Sequence, residues 1–261
     1  MVNAGTDVYP VSFSERGYER GVRRPAPTIH RWKVRPGFRD PGTNLSIHAC
    51  AARAPYGGFW RSASSHLYLP VSRMSTPHLI LWRWVDRPGH EASRLESVGG
   101  EWHLRGTSVL MHEGKPCRLD YHIVCDGGWR TRNASVRGWV GAREVDARIE
   151  TDGERWRLNG AEVPAVAGCV DVDLNFSPCT NLLPIRRLGL EVGGSAPVSA
   201  AWLRFPSFEL ERLDQTYYRT GERAYRYESA DGAFKRDLDV DEAGFPTRYP
   251  GFWEAETATS S

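Results

Sequence analysis

Lysine is scarce in this chain and paired cysteine motifs are missing. Only Lys33, Lys115 and Lys235 are lysines, so 34 − 3 = 31 of the basic residues are arginine. With so much alanine, glycine and proline alongside, this bias reads as GC-rich coding rather than recognition of phosphate or nucleic acid. The five cysteines (Cys50, Cys117, Cys125, Cys169, Cys179) are odd in number and form no CxxC pair. That argues against a disulfide framework and a zinc site, and buried reduced thiols are expected instead. All eight histidines precede residue 123, and none sits in an HxH, HExxH or His-plus-Cys spacing. GxSxG, Walker and Rossmann patterns are missing too, so neither a metal nor a cofactor is expected. No apolar run is long enough to span a bilayer. Neither Met1 nor Met74 is followed by a charged-then-apolar leader, and the expectation is a cytoplasmic protein with no stable membrane insertion.

Charge is unevenly distributed. Residues 1–73 hold eleven Lys+Arg against four Asp+Glu, net +7, which leaves 34 − 11 = 23 basic and 32 − 4 = 28 acidic residues, net −5, for the remainder. The first 73 residues mix Pro, Gly, Arg and Ser with isolated aromatics and follow neither strand nor helix periodicity. They are expected to be a disordered or mis-assigned upstream extension, with Met74 as the true start. Residues 74–255 carry the domain, and 256–261 are expected to fray.

From His78 onward, strand-length segments follow one another. HLILWRWV (78–85) runs into the turn residues Asp86-Arg87-Pro88-Gly89. In CRLDYHIVC, Cys117, Leu119, Tyr121, Ile123 and Cys125 share one face and Arg118, Asp120 and His122 the other, the alternation of a half-buried strand. Asp126-Gly127-Gly128, Asp152-Gly153 and above all Asn159-Gly160 are hairpin-type turns. Nothing reads as a long amphipathic helix. The predicted fold is all-β: a single antiparallel sheet of roughly ten or more strands, curled or closed into a barrel-like form, with little helix. Eight of the ten tryptophans lie after Met74, and core packing is the expected role of most.

The most specialised stretch is DVDLNFSPCTNLLPIRRL (171–188). Strand alternation would put Asp171 and Asp173 on one face, about 6.5 to 7 Å apart by rise. Such a pair could bind a metal, act as acid and base, or pair with arginine, and a carboxylate-guanidinium network with Arg186 and Arg187 is the preferred reading. If IRRL is a strand, those two arginines point to opposite faces and only one looks inward, where it must be paired. SPCTN, containing Thr180 and Asn181, reads as a turn or bulge, and Leu183-Pro184 as a second break.

Taken together, WRWVDRPGHEASRL (82–95), LDYHIVCDGGWRTR (119–132), GCVDVDLNFSPCTNLLPIRRLGL (168–190) and the late YPGFW (249–253) resemble the bacterial glycolipid-binding family, formerly a domain of unknown function. The resemblance runs in order from about Leu79 to Trp253. It implies one β-barrel-like domain similar to the lipoprotein carriers and receptors of the Gram-negative envelope, with a lipid or glycolipid as partner. Trp82, Glu91 and Tyr121, from the flanking motifs, join Asp171, Asp173, Thr180, Asn181, Arg186 and Arg187 as ligand-binding candidates. The expected function is non-enzymatic binding or carriage, with the polar head near Asp173, Asn181 and Arg186. Two alternatives stay open: an enzyme acting on a glycoconjugate through Asp171 and Asp173, whose spacing falls within the roughly 5 to 9.5 Å such chemistry needs, and a structural or interaction protein whose barrel is plugged by its own tryptophans.

Overall fold

The computed structural model describes residues 77–256. The expectations for residues 1–73, Met74 and the C-terminal tail lie outside the described residues. Fifteen strands form one sheet. The first eight make a meander: β1 (His78–Trp84), β2 (Gly89–Val98), β3 (Glu101–His112), β4 (Lys115–Cys125), β5 (Thr131–Val140), β6 (Arg143–Thr151), β7 (Trp156–Leu158) and β8 (Ala161–Glu162). The chain then crosses to the opposite edge as β9 (Asp171–Leu174), which pairs parallel with β10 (Ser195–Arg204). A second meander returns through β11 (Glu209–Gly221), β12 (Ala224–Ser229), β13 (Phe234–Val240), β14 (Pro246–Tyr249) and β15 (Trp253–Ala255). There β15 pairs antiparallel with β1 and joins the halves.

The sheet is curled but not closed. The edge strand β9 approaches the start of β5, where the Thr131 N–H donates to Val170 O (3.3 Å) and the Val172 N–H donates to Thr131 Oγ1 (3.0 Å). The short, exposed β8 remains an edge, a form that limits strand-to-strand aggregation. The period-two pattern is obeyed where it was clearest: Cys117, Leu119, Tyr121, Ile123 and Cys125 are all buried. Asn159 and Gly160 take φ values of 52° and 83°, the paired positive angles of a type I′ turn, and close the two-residue hairpin between β7 and β8. Trp82, Trp84, Trp129, Trp156 and Trp253 are core residues. The four cysteines among the described residues are buried and free.

The segment between β9 and β10 departs from the strand-and-break reading. Pro178–Asn181 form a 3-10 turn that runs directly into the helix α1 (Leu182–Leu188). The two prolines that look like interruptions are placed where helices tolerate them. Pro178 and Pro184 both sit in a first turn, where a backbone N–H has no intrahelical partner to lose. Ser177 accepts the Cys179 N–H on its side chain (3.2 Å), and Gly189, at φ 52°, ends α1 in the left-handed cap that glycine adopts without strain. Leu182, Leu183, Pro184 and Ile185 are buried, as is Phe176 just upstream. This segment, rather than tryptophans alone, fills the space inside the curl. No helix among the described residues is long and apolar enough to cross a membrane.

Candidate functional site

The plug segment gathers most of the polar candidates, but into separate pairs. Arg187 grips Asp171 with two hydrogen bonds, Nε to Oδ1 at 3.0 Å and Nη2 to Oδ2 at 2.5 Å. Asp171 is almost completely enclosed, and burial raises its pKa despite the guanidinium. Helical geometry therefore settles which arginine looks inward: Arg187 does, while Arg186 is exposed, its guanidinium 5.2 Å from the Trp129 ring. Asp173 accepts from Gln215 Nε2 (2.7 Å). Its carboxyl is pushed up to about 6, first by desolvation and further by the neighbouring Asp171, with the Gln215 bond opposing. Thr180 Oγ1 accepts the Leu174 N–H, and Asn181 Oδ1 accepts the Tyr217 hydroxyl at 2.9 Å. The Trp82 indole N–H donates to Pro246 O. An acid/base role for the two aspartates would require Asp171 to leave Arg187, which occupies both its oxygens. Among the described residues, no group of three His, Cys, Asp or Glu side chains is placed to hold a metal ion.

Glu91 and Tyr121, thirty residues apart in sequence, meet inside the sheet. The Tyr121 hydroxyl donates to Glu91 Oε1 at 2.7 Å, and the Ser177 hydroxyl donates to the same oxygen. Glu91 is 1% exposed, and its carboxyl is pushed up to about 8 by burial, with the Ser177 and Tyr121 hydrogen bonds opposing the rise. Its Oε2 has no partner among the described residues, nor does Ser108 Oγ, and these two residues are direct cross-strand neighbours. A carboxyl that keeps its proton has an O–H to offer Ser108, which accounts for both orphans at once.

Beside this cluster lies an open groove of about 740 Å3. It follows the cross-strand row Ile80, Ser93, Gly106, Tyr121, whose register runs across β1, β2, β3 and β4. Gly106 is required there: a Cβ would sit 2.3 Å from the Tyr121 hydroxyl oxygen and 2.6 Å from Ala92 O. Leu79, Leu81 and Ala92 add apolar surface, and Arg94, Arg105 and Thr107 add polar groups. Leu79 is 67% and Leu81 40% exposed, unusual for such residues on a sheet. Arg94 and Arg105 both bind the largely buried Glu96, which spaces two guanidiniums across one carboxylate. Sequence reasoning missed Ser177, Arg94, Arg105 and Gly106. Of these only Gly106 left a signal, because a glycine inside a strand marks close approach by another group.

These features have relatives. A DUF1089 family protein from Pseudomonas aeruginosa, solved by crystallography, is 29% identical, with a TM-score of 0.53 over 78% of this chain and 99% of that one. A β-barrel-like protein of the domain of unknown function DUF1849 from Brucella abortus aligns at 8% identity and a TM-score of 0.41, over 68% of this chain and 92% of that one. No curated protein matches. A family profile described as "Putative glycolipid-binding" matches residues 79–255, about two thirds of the sequence, and the chain therefore belongs to that family.

Proposed function

We propose that the protein binds a lipid or glycolipid without chemically altering it, and that the acyl chain lies in the groove along β1, β2 and β3. The observation that carries this reading is the groove itself. It sets Leu79, Leu81 and Ala92 beside Arg94, Arg105 and the Thr107 hydroxyl, an apolar wall and placed polar groups in one open site. Its volume of about 740 Å3 is within the range of roughly 300 to 1,000 Å3 typical of ligand sites. Each methylene buried there stabilises the complex by about 0.8 kcal/mol, while the hydroxyl and guanidinium groups select the head. The family description supports a binding role.

The filled interior bears on the geometry of binding. With Phe176, Leu182, Leu183 and Ile185 buried within the curl, the ligand is taken at the side of the sheet rather than in a central lumen. The same filling favours the competing reading of a plugged scaffold that binds only other macromolecules. Native mass spectrometry of the full chain, purified without detergent and followed by organic extraction, separates the two. Discrete adducts that extract as lipid are expected, whereas a clean apo mass that persists after incubation with total lipid extract would overturn the carrier reading.

A further inference from the structure

A second pocket, of about 310 Å3, is lined by α1 and by the residues following β13. Three arginines line it from different parts of the chain: Arg186 from α1, Arg219 from β11, and Arg223 from the turn between β11 and β12. We propose that this pocket is a tetrahedral oxyanion site, taking inorganic phosphate or a phosphate monoester.

Arg219 is held in one orientation by the backbone. It donates to three carbonyls: Nη1 to Leu190 O (2.7 Å), Nη2 to Glu222 O (2.7 Å) and Nε to Gly221 O (3.3 Å). A guanidinium has five N–H groups, so two remain for a ligand. No carboxylate neutralises it among the described residues, because all three bonds go to neutral carbonyls. Arg186 is likewise without an ion-pair partner among the described residues, and its guanidinium rests over Trp129, from which a short swing costs little. Gly244 keeps the wall thin beside it: a Cβ there would lie 3.3 Å from Arg186 Cδ, on a backbone whose φ of 99° already excludes most side chains. Both Arg186 and Arg219 lie close enough to Tyr225 to pull its phenol downward against the rise caused by burial, which marks positive potential at the pocket.

Three acidic residues also line the pocket, and each is weak competition. Asp241 is saturated: its Oδ1 accepts the N–H groups of Ala243, Gly244 and Phe245, and its Oδ2 faces His78 Nε2 at 2.7 Å. Glu222 is exposed, and Glu242, 78% exposed, reaches Arg223 only at 3.8 Å. Carboxylates this accessible are screened by solvent and salt, whereas an anion held by several guanidinium N–H groups gains charge-assisted hydrogen bonds.

Asp241 also borders the lipid groove, so the two pockets adjoin across one residue. The phosphate can thus come from solution or from the head of an amphiphile; only the second source rests on the lipid-binding reading. The test is a titration of the full chain with sodium phosphate, against sodium chloride at equal ionic strength, read by thermal shift and calorimetry. Phosphate is expected to raise the Tm saturably where chloride does not, and Arg186→Gln to weaken the site about tenfold, the loss of one charge-assisted hydrogen bond. Arg118→Gln, on the solvent-facing side of β4, is expected to leave it unchanged. A response that chloride reproduces, or an Arg186→Gln variant that folds and binds like Arg118→Gln, overturns the site. A short-chain phosphatidic acid below its micelle concentration then identifies the source. Tighter binding than phosphate, lost in Leu81→Arg, supports a lipid head, and equal affinity supports free phosphate. Phosphate binding that persists while no lipid binds would sink the groove reading alone.

Discussion

A carboxyl group sealed from water holds its proton far past the ordinary carboxylate range, even where two hydroxyls donating to one of its oxygens pull the other way. Glu91 is such a group, raised from 4.5 to about 8. The folded state therefore binds more protons than the unfolded chain between these values, and stability falls as pH rises across the window. The contribution is fully present below about 4.5 and lost as pH passes through about 8, at a rate on the order of 1.4 kcal/mol per pH unit. Glu91→Gln keeps the shape, accepts from Tyr121 and Ser177, and offers an N–H toward Ser108 without titrating. Denaturant unfolding at pH 5.5 and 8 should show a shallower loss in this variant than in the parent, and equal slopes would mean that Glu91 does not carry the proton. At this scale the sequence spoke unevenly. A carboxylate-guanidinium network of Asp171 and Asp173 with Arg186 and Arg187 was readable because an inward guanidinium in a β protein needs a partner, but which arginine turns inward was not. The meeting of Glu91, Tyr121 and Ser177 was not, since nothing local ties residues 30 and 86 positions apart.

Strands and plug differ in how openly they announce themselves. A strand with one buried face writes its orientation into every second residue, which is why the inward set of β4 and the Asn159-Gly160 turn could be read directly. Helix α1 has seven residues, contains a proline and is buried through most of its length, so it has no polar face from which a 3.6-residue period could be detected. Proline at a first helical turn and proline in a loop look identical in isolation. Gly106 belongs to this scale as well, because it lets one strand's aromatic lie flat across its neighbour. Gly106→Ala should cost about 1 to 3 kcal/mol through overpacking, since Ala92 O is backbone and cannot withdraw. It should also break the Tyr121–Glu91 bond. Tyr121→Phe should then cost less in the Gly106→Ala background than alone, as a double-mutant cycle would register; full additivity would show that the phenol never depended on the glycine.

At the scale of the molecule, one curled sheet wraps a short plug and leaves a side groove open. The fold class was legible from turn spacing and alternation. The site was legible only in part, because a groove depends on which rows of the sheet carry small residues, and Ser93 beside Gly106 becomes meaningful only once the register aligns them. If this groove holds an acyl chain, Leu81 is the residue whose replacement should show it. At 40% exposure it contributes little to the core, so Leu81→Arg should fold with an unchanged Tm. The most direct measurement is a fluorescence titration of the full chain and of Leu81→Arg with a fluorescent monoacyl glycolipid below its micelle concentration. Saturable one-to-one binding is expected for the parent and binding about tenfold weaker for the variant, the loss of roughly two methylene contacts. Saturable binding of equal strength by both proteins, or none by either, would contradict acyl-chain binding in this groove.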